Sequence, residues 1–139
     1  MAATALFVLD CSVSVVWLFE EQANDYTESA LDALSKGYAV VPRWWNVEML
    51  NVLLALERRN RLAPGKAVEL LRFLQRLPIR LRESNMSVFE LHALAHRHQL
   101  TSYDALYLEA ALATGLPMAS RDKVLQQAAI DSGVGVWSD

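Results

Sequence analysis

The chain of 139 residues is short of several residue types and patterns, and each shortage narrows what the protein can be. Its single cysteine, Cys11, excludes an internal disulfide and suits a reducing compartment. No apolar run reaches the length that spans a membrane. No glycine-rich phosphate loop is present, which argues against a nucleotide-dependent kinase or ATPase. The net charge of -3 argues against a general nucleic-acid coat protein, because such proteins are usually basic.

The apolar start of the chain, MAATALFVLDCSVSVVWLF, superficially resembles a signal peptide. It lacks the basic segment with which such peptides begin, and Asp10 interrupts its apolar run. We therefore expect a cytoplasmic protein. With 53% hydrophobic and 21% charged residues the chain is typical of globular proteins, and its length predicts a single domain, 1–139, around one core.

Basic residues are concentrated in the middle of the chain. Eight of the thirteen lysines and arginines stand in one segment: Arg58, Arg59, Arg61, Lys66, Arg72, Arg76, Arg80 and Arg82. Solvated helix faces are one explanation of this segment. A positive rim for a polyanion or for an acidic partner segment is the other.

Strand-like and helix-like segments alternate along the chain. Short apolar runs predict strands at 5–9, 38–42, 79–81, 117–120 and 134–137. Apolar periodicity with start and stop signals predicts helices at 12–20, 24–35, 45–60, 64–77, 87–98, 102–114 and 122–130. The alternation predicts an α/β fold, a three-layer α/β/α sandwich with a short, mainly parallel central sheet. In such sheets ligands bind beyond the carboxyl ends of the strands.

The segment TSYDALYLEAAL, 101–112, places an acid in the first turn of an otherwise apolar helix. Thr101 predicts an N-cap, and Asp104 resembles a capping-box acid, which also favours the positive end of the helix. At 100° per residue, however, Asp104 shares its side with Tyr107 and apolar residues, whereas Glu109 is expected to face solvent. A carboxylate on an apolar side needs a partner or a cation, because burying a lone charge is costly.

Three further acids stand at strand ends or in early helix turns. Asp10 follows the first strand, where it could make an Asx turn, and Asp122 follows the fourth, where it could serve a helix N-terminus. Glu48 lies in the helix 45–60, which is apolar nearly all round and should be largely buried. A salt bridge to an arginine is the structural alternative for Glu48. If the four carboxylates converge, a divalent cation must neutralise them, and oxygen ligands alone select Mg²⁺ or Mn²⁺ over Zn²⁺.

The segments FVLDCSV, WNVEMLNVLLALERR, TSYDALYLEAA and SRDKVL, in this order, resemble the PIN domain, in particular the VapC-type toxins of bacterial toxin–antitoxin pairs. The resemblance spans residues 7–136. It implies a Mg²⁺- or Mn²⁺-dependent endoribonuclease that hydrolyses RNA phosphodiester bonds with metal-activated water. The metal ligands and catalytic acids that it implies are Asp10, Glu48, Asp104 and Asp122.

The resemblance also assigns supporting residues. Ser12 matches a hydroxyl that follows the first acid by two, Asn51 matches a polar residue near the second, and Ser120 stands where the family often has threonine. We expect these three side chains to fix the acids through hydrogen bonds. Cys11 replaces a more usual threonine or small residue, and a packed thiol is expected there rather than a nucleophile.

The family further implies a homodimer and a cognate VapB-type antitoxin, which wraps the toxin and inserts a basic residue towards the acids. The apolar helices at 12–20 and 44–56 could supply the docking surface, together with the tryptophans at 17, 44, 45 and 137, although core packing explains each tryptophan equally well. The candidates for contacts to the RNA backbone are Arg58, Arg59, Arg61 and Lys123.

Two alternative functions stay open. A catalytically degenerate PIN-like module would only recruit a partner or RNA, and the presence of all four acids argues against it. An aspartate-based phosphatase of similar layering would use Asp10, but the second aspartate of that pattern is missing.

Overall fold

The computed structural model describes residues 3–139, apart from the side chain of Glu20. Within these residues, four strands form one sheet: β1 (Thr4–Leu9), β2 (Gly37–Pro42), β3 (Ile79–Arg82) and β4 (Met118–Ala119). The helices are α1 (Cys11–Ser14), α2 (Asp25–Ala33), α3 (Trp44–Arg58), α4 (Lys66–Arg76), α5 (Val88–His98), α6 (Ser102–Thr114) and α7 (Lys123–Asp131). All strand pairs are parallel, in the order β3-β2-β1-β4. The predicted α/β sandwich with a short parallel sheet is confirmed.

Strand β1 lies inside the sheet, between β2 and β4. Phe7, Val8 and Leu9 are fully buried, as expected of a parallel strand that is covered on both faces. From β1 the chain moves outward to β2 and β3, and it returns to β4 on the other side of β1. The strand order therefore reverses between β1 and β4, and ligand-binding crevices form outside the carboxyl ends of strands at such a reversal.

Helix α6 packs across this sheet and is buried along its middle. Its buried residues include Ala105, Tyr107, Leu108, Ala110 and Ala111, and it contacts β1, β2, β4, α5 and α7. Small alanines let the helix approach the sheet closely, while each fully buried leucine or tyrosine side chain contributes about 1.5–3 kcal/mol to stability. None of the helices in residues 3–139 combines the length and apolarity needed to cross a bilayer.

The predicted first helix, 12–20, is interrupted. After α1 the chain continues in two 3₁₀ segments, Val15–Leu18 and Glu20–Gln22. The N-cap position belongs to Asp10, and Ser12 lies inside the helix. Valines are frequent in this segment, and their branched β-carbons restrict the side-chain rotamers of an α-helix, which favours the interruption.

The predicted last strand, 134–137, is reduced to a single contact. Val136 forms one isolated parallel bridge with Met118. On either side of Val134, Gly133 and Gly135 lie at φ of 82° and 77°, in the left-handed region. A strand needs extended backbone, so these glycines prevent a longer ladder at this edge.

The expectation that α3 is largely buried is wrong. Trp45 and Leu53 face the core and are 4% and 1% exposed. The opposite side of the helix carries apolar side chains that are 50%, 42% and 37% exposed: Val47, Leu50 and Leu54, which we call the outer face of α3. A helix that is apolar nearly all round gives no periodicity from which to infer the covered side, and its neighbours cover only one side.

Candidate active site

Asp10 lies at the end of β1, where the strand order reverses, and is 5% exposed. Its Oδ2 atom accepts hydrogen bonds from the hydroxyls of Ser12 at 2.7 Å and Ser120 at 2.8 Å. Burial raises the pKa of Asp10 above its ordinary value, the two hydroxyls oppose part of this rise, and the charge of Asp122 adds to it. The site therefore starts from a buried carboxylate whose described side-chain donors are neutral.

The two serine hydroxyls tie β1 to the loop that follows β4. Each donates to Asp10 and accepts a backbone N–H: Ser12 from Arg121 at 2.9 Å, and Ser120 from Asp122 at 3.0 Å. Oδ2 of Asp10 is therefore the acceptor that the two hydroxyls share. The structure thus places Ser12 and Ser120 beside the first acid, and their role in activity stays a prediction.

Asp122 occupies the N-cap of α7, which is the local role that its position suggested. Its Oδ1 atom accepts the backbone N–H groups of Val124 at 2.9 Å and Leu125 at 3.0 Å. The cap uses Oδ1 alone, so Oδ2 is not engaged by the helix. The charge of Asp122 raises the pKa of both Asp10 and Asp104, which brings three of the predicted acids into one electrostatic neighbourhood.

Glu48 reaches the same neighbourhood from α3. Its Oε1 accepts a hydrogen bond of 2.9 Å from the hydroxyl of Tyr107, a residue of α6 that is fully buried. Burial raises the pKa of Glu48, the Tyr107 hydroxyl opposes the rise, and the charges of Asp10 and Asp104 add to it. Burial and the Glu48 carboxylate also raise the pKa of Tyr107, so its hydroxyl stays a donor. The hydrogen bond from Tyr107 to Glu48 was not predicted from the sequence, although Tyr107 shares a helix side with Asp104.

Asp104 is half-buried in the first turn of α6. Its backbone N–H donates to the Thr101 hydroxyl at 3.1 Å, which confirms Thr101 as the N-cap. Burial raises the pKa of Asp104 to about 6, and the charges of Asp10 and Asp122 contribute to the rise. Thr101 and Asp104 form only the first half of a capping box, whereas α2 and α5 begin with complete ones. Asp104 therefore does more than stabilise the start of its helix: it stands in the field of the other acids.

The four carboxylates suit a hydrated hard cation. Within residues 3–139, no three histidine, cysteine, aspartate or glutamate side chains are grouped tightly enough to hold a metal ion by themselves. Mg²⁺ does not require such a group, because it usually keeps several waters and binds through one or two carboxylates. The donors here are oxygens, and burial and mutual repulsion raise the pKa of Asp10, Glu48 and Asp104 together. The chemistry of the donor set therefore fits Mg²⁺ or Mn²⁺.

Two residues near the acids in sequence take less part in the site. Burial, followed by the charges of Glu48 and Asp10, raises the pKa of the Cys11 thiol to about 12, which agrees with a packed thiol rather than a nucleophile. Asn51 is exposed, and in the described part of the chain its side chain makes no hydrogen bond to Glu48, where Tyr107 donates instead. The supporting role of Asn51 stays a prediction.

The predicted RNA-contact residues fall into two groups. Lys123 is exposed at the start of α7, directly after Asp122. Three others are exposed at or just beyond the far end of α3, about 15 Å from Glu48 along the helix: Arg58, Arg59 and Arg61. Two exposed arginines that the sequence analysis did not single out lie closer to the acids in the chain, Arg43 before α3 and Arg121 beside Asp122.

The expectation that Glu109 faces solvent is wrong. Glu109 is 5% exposed, and both of its carboxylate oxygens accept hydrogen bonds of 2.8 Å from Nη1 of Arg82, at the end of β3. The helical wheel correctly separates Glu109 from Asp104, but the side that Glu109 faces is occupied by Arg82 of β3 and not by solvent. Glu109 therefore belongs to a structural ion pair and not to the group of four acids.

Fold and site together define an α/β protein with an acidic site at the switch point of a parallel sheet. The chain belongs to the PIN domain family, whose model matches residues 7–131. Among solved structures, the chain is similar to the crystal structure of PAE2754 from Pyrobaculum aerophilum, with a TM-score of 0.64 and 18% sequence identity over 89% of this chain and 84% of that one. At this identity the likeness shows the fold alone. No curated protein matches the sequence.

Membership of the PIN family gives the chain a coarse function. PIN domains are in general nucleases, they typically use divalent metals, and the family is consistent with RNA binding. The chain is therefore placed among hydrolases of the nuclease type.

Proposed function

We propose that the protein is a Mg²⁺- or Mn²⁺-dependent endoribonuclease that hydrolyses RNA phosphodiester bonds, and that it acts in the cytoplasm as the toxin of a type II toxin–antitoxin pair. One observation carries the proposal. Near the switch point of the sheet, burial and the charges of Asp10, Asp104 and Asp122 raise the pKa of three carboxyl groups from different parts of the chain: Asp10, Glu48 and Asp104. In the described residues, none of these four acids forms a salt bridge with a lysine or arginine. Perturbed pKa values of this kind cluster at functional sites.

Each residue of the site has a distinct task in this proposal. Asp10, Glu48, Asp104 and Asp122 would hold the cation, which when bound neutralises phosphate charge and activates water for attack on phosphorus. Ser12 and Ser120 fix Asp10 through hydrogen bonds of 2.7 and 2.8 Å. Tyr107 fixes Glu48. One of the carboxylates, directly or through a water, would orient the attacking nucleophile.

Cleavage of RNA by the purified protein, freed of any partner, tests the enzymatic part. Wild type should cleave single-stranded RNA in Mg²⁺, EDTA should stop the reaction, and Asp10→Asn should be inactive. Equal cleavage by wild type and Asp10→Asn, or cleavage that EDTA does not change, would refute the mechanism. Binding of RNA without metal-dependent cleavage would favour the degenerate binding module, and hydrolysis of a phosphomonoester would favour an aspartate-based phosphatase.

Expression in bacteria tests the proposed role as a toxin. Wild type should arrest growth, and Asp104→Asn, which keeps the size of the side chain and removes its charge, should not. Arrest by both proteins at equal expression levels would contradict a toxic ribonuclease activity.

The proposed assembly is a homodimer that binds a VapB-type antitoxin. The outer face of α3 is apolar and exposed, and exposed apolar patches are surfaces that partners cover. A groove of about 590 Å³, in which Trp17, Phe19, Leu70 and Phe73 are bordered by charged residues, offers a second surface. Light scattering should give the mass of a dimer for wild type and of a monomer for Leu50→Asp. A wild-type monomer at all protein concentrations would contradict the dimer.

A further inference from the structure

Two large aromatic side chains stand exposed next to the acids. Trp44 is 42% exposed and Tyr103 is 49% exposed. Their ring centroids are 5.4 Å apart and their planes meet at 81°, which is an edge-to-face pair. In this geometry each ring keeps at least one face that the other does not cover, while the contact holds both rings in place. The pair is therefore ordered and still open to a flat ligand.

The register of the two helices places this pair one helical turn from Glu48 and Tyr107. Trp44 lies one turn before Glu48 on α3, and Tyr103 lies one turn before Tyr107 on α6. Glu48 and Tyr107 are joined by a hydrogen bond of 2.9 Å, so the aromatic pair is a second contact between α3 and α6, one helical turn away. At 1.5 Å per residue, the aromatic contact and the hydrogen bond are about 6 Å apart along the helices. Tyr103 also directly precedes Asp104.

One exposed arginine next to the pair could contact the phosphate of a bound nucleotide. Arg43, next to Trp44, forms an ion pair with Glu83 in which both side chains are mostly exposed. Exposed ion pairs contribute little to stability, so Arg43 can exchange Glu83 for a phosphate at small cost. A pocket of about 180 Å³ lies beside Trp44 and is also lined by Arg43, Arg82, Glu83 and Glu109, so each of its arginines is paired with an acid. It is smaller than the roughly 300–1,000 Å³ of drug-sized sites and has room for one ring system.

We propose that Trp44 and Tyr103 form a base-stacking subsite, which holds one unpaired nucleobase of single-stranded RNA beside the scissile phosphate. The subsite rests on the proposed ribonuclease function, because the acids next to it would act on the strand that it holds. Stacking on aromatic rings tolerates any base, since every base has a π-face. The subsite therefore selects single strands, whose bases can be splayed out, and does not read sequence.

Binding measurements test the subsite separately from cleavage. In an Asp10→Asn background, the affinity for a short labelled single-stranded RNA is measured by fluorescence anisotropy. Trp44→Ala should weaken binding about 5- to 100-fold, and Tyr103→Ala should weaken it less, whereas Trp44→Phe should retain most of the affinity. Phe89→Ala is the matched control, because Phe89 is an aromatic residue on α5 that is 84% exposed and outside the pair. This control should bind like the background protein.

A second readout identifies stacking itself. RNA should quench tryptophan fluorescence in the Asp10→Asn protein, and Trp44→Phe should abolish the quenching although it still binds. Trp44→Ala should cause a much smaller loss of affinity for an RNA with an abasic nucleotide at the contacted position. Unchanged affinity of Trp44→Ala, or an equal loss on normal and abasic RNA, would overturn the subsite.

The outcomes also separate the subsite from the proposed function. If wild type cleaves no RNA in Mg²⁺ and RNA binding still depends on Trp44, the subsite is supported and the ribonuclease is contradicted. Metal-dependent cleavage by wild type together with unchanged binding by Trp44→Ala would contradict the subsite alone. If Trp44→Ala alters the mass of the assembly and leaves RNA affinity unchanged, the pair is a protein contact and the proposal is overturned.

Discussion

Asp10 and Glu109 are buried to the same extent, each 5% exposed, but their charges are accommodated in opposite ways. Glu109 lies against Arg82, which donates to both of its oxygens at 2.8 Å. Among the described side chains, only the neutral hydroxyls of Ser12 and Ser120 donate to Asp10, and the charge of Asp122 repels it. Burying a charge without an opposite charge is costly, so the fold keeps Asp10 at the expense of stability.

This difference separates a structural acid from one that is available for function. The Glu109–Arg82 pair is neutral and internally satisfied, so it attracts no further ion. Asp10 shares its surroundings with Glu48 and Asp104, whose pKa values are raised for the same two reasons, burial and repulsion. A dication would relieve both. Neutralising Asp10 should therefore remove activity without destabilising the fold. Neutralising Glu109 should destabilise the fold without removing activity.

The largest effect is expected for Asp10→Asn. RNA cleavage should fall by more than the roughly 10- to 100-fold loss that follows removal of a group supporting a metal ligand. In EDTA its melting temperature should equal or exceed that of wild type, because the asparagine oxygen still accepts the serine hydroxyls and a repelled charge is gone. Initial cleavage rates and thermal unfolding measure the two effects. A strong loss of thermal stability would contradict the assignment of Asp10 as an electrostatically strained acid.

Glu109→Gln should instead reduce stability. Removing one partner of a fully buried ion pair costs about 3–5 kcal/mol. Because the Arg82 side chain is 25% exposed and can be partly hydrated, we expect a loss of about 2–3 kcal/mol in the free energy of unfolding. Urea unfolding measures this loss. The double variant Arg82→Met with Glu109→Leu should recover much of it, and no recovery would show that more than the uncompensated charge is involved.

Tyr107→Phe tests the support of Glu48 and should reduce cleavage about 10-fold. It removes one hydrogen bond to a carboxylate and should cost about 1 kcal/mol of stability. The pKa of Glu48 should rise further without this donor, so the acidic limb of the pH–rate profile should move to higher pH. Tyr103→Phe is the matched control, because in the described residues the Tyr103 hydroxyl makes no hydrogen bond. An unshifted pH profile for Tyr107→Phe would contradict a role in holding Glu48.

The smallest expected effect is on the pH dependence of stability. The pKa of Asp104 in the fold is about 6, above its ordinary 3.8, so between these values the folded protein holds more protons than the unfolded chain. In EDTA, lowering the pH from 7 towards 5 should therefore stabilise wild type relative to Asp104→Asn. Asp104 is only half-buried, and solvent screening limits the relative change in melting temperature to about 2–4 °C. A relative decrease on acidification would contradict the raised pKa.

Local sequence signals predicted the parts of the fold that depend on local physics. Thr101 was predicted as an N-cap and is one, because a hydroxyl before a helix satisfies an N–H within three residues. The lengths of the first helix and of the last strand were wrong. In one case a run of valines disfavoured the α-helix, and in the other Gly133 and Gly135 adopt left-handed backbone that a strand excludes.

The sequence by itself determined the alternation of strands and helices, and hence a parallel sheet whose carboxyl edge gathers Asp10 and Asp122, because periodicity and strand ends are local properties. Only the tertiary structure decided that Glu109 meets Arg82, that Tyr107 meets Glu48, and that one face of α3 stays exposed. Partners of this kind are far apart in the chain, and an all-apolar helix has no pattern that tells which side its neighbours will cover.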